Sequence, residues 1–147
     1  MEATTHLPLS EDAALVTALA STAMPYSRCA EEEAERWLRA LRLHGRVGRV
    51  LQAVGVGEAP LDVERAQPCE RPPVTPPLGE AALERTISDA EHRATARGAA
   101  AVGTVELLGA VLDVYSAPID RALTVRGASR AEVLERLAEL SDDELRD

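Results

Sequence analysis

Five prolines fall within the thirteen residues Gln67 to Gly79, QPCERPPVTPPLG. Each fixes φ and removes a backbone donor, so neither a helix nor an inner strand can run through this stretch. It reads as a linker, and it divides the chain near its middle. Halves of about 60 residues are marginal alone because too little of their surface is buried on folding. The two halves therefore have to share one core, within a single domain of 147 residues.

The residues available for that core set the fold class. Phe and Lys are absent, Trp37 is the only tryptophan, and aromatic residues make up 2% of a chain that is 46% apolar. Ala, Leu and Val must fill the interior, which favours closely packed helices over stacked sheets. The periodicity agrees with an all-α fold. Ser10 opens a helix in SEDAALVTALAST, with Glu11 and Asp12 on the positive end of the dipole, and Pro25 ends it or begins the next turn. From Ala30, the positions Ala34, Trp37, Leu38 and Leu41 make one apolar face, closed by Gly45. Val47, Val50, Leu51 and Val54 form a third stripe that stops at Gly55, and a weaker segment spans Leu61 to Ala66.

Beyond the linker, Glu80 to Arg97 carries Ala82, Leu83, Ile87, Ala90 and Ala94 on one stripe, ending at Gly98. Thr104 is placed to cap the next helix, VELLGAVLDVY, with Glu106 in its first turn; Pro118 starts another, which Gly127 terminates. Ser129 and Glu132 form a capping box for AEVLERLAEL, and the tail from 141 to 147 frays. The expected organisation is repeat one over 9–66, linker 67–79, repeat two over 80–140 and a tail.

Charge narrows the partners. A net charge of −9 repels a phosphate backbone, so nucleic acid is not expected. No window approaches the roughly 20 apolar residues of a membrane span, and MEATTHLPLSED lacks the basic start of a leader, which points to the cytoplasm. Cys29 and Cys69 are too few and too far apart for a disulfide framework or zinc ligand set and read as buried or idle thiols. His6, His44 and His92 share no metal-like spacing, and no serine, histidine and acid come together as a nucleophile and its base. Neither a cofactor, a metal nor an enzymatic activity is expected.

The halves resemble each other. Arg49-Val50-Leu51 with Gly55 matches Arg121-Ala122-Leu123 with Gly127 at an offset of 72, and Ala34, Leu38, Ala40 and Leu41 match Thr104, Leu108, Ala110 and Val111 at an offset of 70. A two-residue insertion near Tyr115-Ser116 accounts for the difference. Such units bury each apolar face against the twin. Furthermore, the run ARGAAAVGTVELLGAVL, Ala96 to Leu112, is similar to the A-x-x-x-G-x-x-x-V-G-T-E-H-L-L-x-x-L-L signature of the amino-terminal repeat domain of Clp-type AAA+ unfoldases. RALTVRG, ending at Gly127, looks like the next element of that repeat, and GRVGRVLQAVGV carries the match in the first half.

This resemblance implies a pseudo-two-fold domain of eight helices that binds protein substrates or adaptors of a proteolytic machine. The nucleotide-binding loop of such a machine requires Lys, which the chain lacks. A freestanding copy would capture proteins, compete with an unfoldase for adaptors, or intercept small-molecule toxins. The last of these is the alternative reading, a sequestration protein for cyclic peptides or toxins, although the aromatic residues that relatives use to hold cyclic peptides have no Phe counterpart.

The resemblance also implies a site at the repeat loops: Glu35 in repeat one, Thr104 and Glu106 in repeat two. In relatives that recognise phosphorylated arginine an acid follows Gly-Thr directly. Here Val105 occupies that position and Glu106 comes one residue later, about 100° around the helix. In repeat one Glu33-Ala34 replaces Gly-Thr. Read without the resemblance, Glu106 and the acids Glu31, Glu32, Glu33 and Glu35 are early-helix carboxylates favoured by the dipole, and Trp37 is a core residue on an apolar stripe.

Overall fold

The computed structural model describes residues 7–23, 29–56 and 79–140. Among them are seven helices and no extended sheet. These are α1 (Glu11–Ala23), α2 (Ala30–Leu43), α3 (Gly45–Ala53), α4 (Gly79–Arg97), α5 (Thr104–Tyr115), α6 (Ala117–Val125) and α7 (Arg130–Ala138). The fold is all-α. The segment Leu61 to Ala66, most of the proline-rich linker, Pro25 and the tail lie outside the described residues.

Helix α5 is the hub. Ten of its twelve residues are buried, as expected for a helix that is apolar all round. It packs against α4 most extensively and also touches α1, α2, α3 and α6. Trp37, Leu38 and Leu41 of α2, Leu51 of α3, and Ile119 and Leu123 of α6 pack with Leu107, Leu108 and Leu112 in one continuous core. Both sides of the linker thus contribute to the same interior. Burial of each leucine is worth about 1.5–3 kcal/mol before entropy is counted.

Short-range chemistry sets the helix ends. Ser10 Oγ accepts from the Ala13 amide at 3.1 Å, and Ser129 Oγ accepts from the Glu132 amide at 3.2 Å, so both serines act as caps. Helices α3 and α6 end alike. The Gly55 amide donates to Gln52 O and that of Val56 to Leu51 O; the Gly127 amide donates to Thr124 O and that of Ala128 to Leu123 O. Every donor and acceptor in the second set lies 72 positions after its counterpart in the first. Gly55 and Gly127 adopt φ of 90° and 82°, which a side chain would strain. A Cβ on Gly55 would lie 4.0 Å from the Gly127 carbonyl, so the two helix stops face one another.

Three expectations are corrected. Helix α2 stops at Leu43, and Gly45, with φ of 75°, begins α3 instead of merely closing α2. Extended His44 is the whole of the turn. Thr104 is not the cap of α5: Gly103 holds that position, and Thr104 is the first helical residue and fully buried. A glycine can cap here because the Glu106 carboxylate reaches back to take the Gly103 amide. Finally, Cys29 is buried, but it is disulfide-bonded and not a free thiol. The single other cysteine in the sequence, Cys69, lies outside the described residues. Separation along a sequence does not measure separation in space, which is what a disulfide requires.

Two close approaches fix how helices cross. A Cβ on Gly48 would sit 2.6 Å from the Arg42 carbonyl, so α3 can leave α2 at this angle only with glycine there. Before α1, Leu9 forms a parallel bridge with Val102, with Ser10 N to Val102 O at 2.9 Å and Val102 N to Pro8 O at 2.8 Å. The approach to α1 is thereby fastened to the loop that precedes α5.

Candidate functional site

The loop between α4 and α5 ends in a closed polar cluster at the start of α5. Glu106 is 4% exposed. One carboxylate oxygen accepts from the Gly103 amide at 2.9 Å; the other accepts from Arg97 Nε at 2.7 Å and also contacts Arg97 Nη2. Arg97 comes from the last turn of α4, two residues before the chain turns toward α5 at Ala99. A buried carboxylate needs such partners, because an unpaired charge away from water is costly. Its acceptor capacity is thus engaged by the chain itself. Thr104 lies behind it, with no surface of its own.

Glu35 occupies the second turn of α2, and its side chain is 18% exposed. It faces Arg126, whose guanidinium lies 3.6 Å away and donates to Ala122 O at 3.2 Å. Arg126 is the residue that ends α6, so this pair joins the two halves. Thr104 and Glu106 therefore share one turn, while Glu35 belongs to another helix and holds a different arginine. Both loop carboxylates resemble each other in being matched to a guanidinium supplied in cis.

Sequence reasoning passed over a second cluster, which is the more deeply buried one. Glu33 is 3% exposed and accepts from Tyr115 Oη at 2.8 Å and from the Gly79 amide at 2.8 Å. Tyr115 Oη in turn accepts from Trp37 Nε1 at 3.2 Å. This chain of bonds links α2, the end of α5 and the first residue of α4. Burial pushes the Tyr115 phenol above its ordinary value, and the neighbouring Glu33 carboxylate pushes it the same way by repelling a phenolate. One signal was available in the sequence: Glu33 lies four residues before Trp37, on the apolar face, where an acid must find buried donors.

Surface pairs add ties from α6 to α2 and to α7. Arg121 of α6 contacts Glu31 of α2, and Arg130 Nε lies 2.7 Å from Asp120. Trp37 is completely buried, as its place on the stripe predicts, and is no surface anchor. His92 is exposed on α4. Among the described residues no group of three or more His, Cys, Asp or Glu could hold a metal, and no helix is long and apolar enough to cross a membrane. An open concavity lies elsewhere, between α3 and α7. No protein-family model matches the chain, and no curated protein matches it significantly.

Proposed function

We propose that this chain is a non-enzymatic protein-binding module, a freestanding relative of the amino-terminal repeat domain of Clp-type unfoldases, acting with or in competition with such a machine. In this reading α1–α3 and α4–α7 belong to the two repeats of one pseudo-two-fold domain. The observation that carries it is the pair of helix stops at Gly55 and Gly127, with the same hydrogen bonds 72 residues apart and the two turns face to face. A repeat that meets its twin at equivalent residues is what the family's pseudo-two-fold architecture requires.

A partner of this class places the module in the cytoplasm, where the disulfide at Cys29 would form only transiently. The test is affinity capture from native lysate with mass spectrometry, comparing the parent with a Glu35→Ala/Glu106→Gln double variant. Enrichment of an unfoldase, its protease or its substrates by the parent alone supports the reading and the loop site. Equal enrichment by both moves the site away from the loops. Failure to retain any of these proteins overturns the reading and directs attention to small-molecule sequestration, for which a ligand-induced melting screen is the measurement.

A further inference from the structure

Helix α7 is thinly held. Val133 alone of its residues is buried, and the helix packs chiefly on α3. It closes with the Glu139 amide donating to Arg136 O and the Leu140 amide to Leu137 O, both at 3.2 Å. Leu140 then lines a cavity of about 270 Å³ between the two helices, so the chain leaves α7 at this concavity.

The charge of that cavity is unbalanced. Arg46 and Arg49 of α3 and Arg136 of α7 line it against one carboxylate, that of Glu139, which Arg136 approaches at 3.8 Å. Glu132 and Glu135 line the adjoining cavity instead. Helix α3 finds no counter-charge in its own segment, because from Arg36 to Gly57 the sequence holds five arginines and no acid. Arg46 and Arg49 are exposed and, three positions apart, share one side of α3. Arg49 makes no ion pair among the described residues. Directly after Leu140, residues 141–147 read Ser-Asp-Asp-Glu-Leu-Arg-Asp, four acids and one base. Asp142, Asp143 and Glu144 come two to four positions past Leu140, a reach of about 7–14 Å for an extended chain.

We propose that residues 141–147 fold back over this cavity as an acidic strap, bringing Asp142, Asp143 and Glu144 to Arg46 and Arg49. The guanidinium groups suit the role because each can bond a carboxylate with two parallel N–H donors. A single exposed ion pair is worth little, but several on a tethered segment act at the millimolar effective concentration that a short link provides. The strap is an autoinhibitory contact: an acidic partner has to displace it to reach the α3 arginines. That last consequence rests on the protein-binding reading, whereas the contact itself does not.

Modification of arginines by phenylglyoxal in the full chain, read residue by residue by mass spectrometry, tests it. The parent is compared with an Asp142→Asn/Asp143→Asn/Glu144→Gln variant, and far-ultraviolet circular dichroism verifies that both are folded. Arg49 is expected to react about threefold faster in the variant, the scale of exposed ion pairs. In about 0.5 M salt, which screens such pairs, the difference should vanish. Arg85, exposed on α4, is the control and should react alike in both proteins. Equal rates at Arg49, the same acceleration at Arg49 and Arg85, or protection that is lost on dilution, the mark of a contact between copies, would each overturn the proposal. If Arg49 is unprotected while lysate capture succeeds, the strap is wrong and the protein-binding reading stands. Protection of Arg49 with failed capture keeps the strap and removes that reading.

Discussion

Tyr115→Phe removes one oxygen atom from the interior and should be felt in both halves of the molecule. The phenol is completely buried, donates to Glu33 at 2.8 Å and accepts from the Trp37 indole at 3.2 Å. Loss of a hydrogen bond to a charged group costs about 1.5–3 kcal/mol, and leaving a buried donor unpaired costs about 1–3 kcal/mol. The two overlap, since they share one atom, so a destabilisation of about 2–4 kcal/mol is expected. For a domain of this size that lowers Tm by roughly 6–12 °C. Urea and thermal unfolding followed by circular dichroism give the loss, with the m value unchanged if the denatured state is the same. Trp37 emission should shift as its indole loses its acceptor. A double-mutant cycle with Glu33→Gln isolates the coupling. A loss under about 0.5 kcal/mol, or strictly additive effects in the cycle, would refute the idea that this network holds the halves together.

The same phenol gives an alkaline signature. Its pKa is raised in the fold, so its contribution is fully present below the unfolded value near 10 and is lost as pH rises beyond it; Tyr115 should yield no tyrosinate absorbance at 295 nm until the protein unfolds. Leu108→Ala truncates a fully buried side chain of α5 and should cost about 2–5 kcal/mol by urea denaturation. Ser116 sits at φ of 48°, between α5 and α6, where glycine is at ease, so Ser116→Gly should raise stability by about 0.5–1 kcal/mol in the same assay. Reduction of the disulfide at Cys29 should lower stability by about 2–4 kcal/mol, and thiol titration of the unfolded chain should find reactive groups only after reductant is added.

Local rules made much of this fold legible. Ser10 and Ser129 cap helices as their neighbours in sequence imply, and the glycine stops at 55, 98 and 127 fall where the apolar stripes end. Long-range chemistry was not legible. Glu33 and Tyr115 stand 82 positions apart, and no periodicity reports that one will solvate the other. Thr104 looked like a cap because hydroxyl side chains usually serve there, but a reaching glutamate made glycine sufficient. Glu106 was legible as a first-turn carboxylate, whereas its arginine partner came from the preceding helix and closed the loop that the resemblance had marked.

The central position of α5 also has a consequence for the order in which this protein is made. Helices α1, α2 and α3 emerge before the rest of this chain, yet the inner face of α2, with Trp37 and Leu38, is fully covered only when residues 104–125 have followed. Until then the leading half leaves part of that apolar surface uncovered and an acid, Glu33, without its buried donors. Folding must wait for contacts distant in sequence, which slows it and prolongs exposure to aggregation. Synthesis of the second half therefore sets the moment at which the first becomes native.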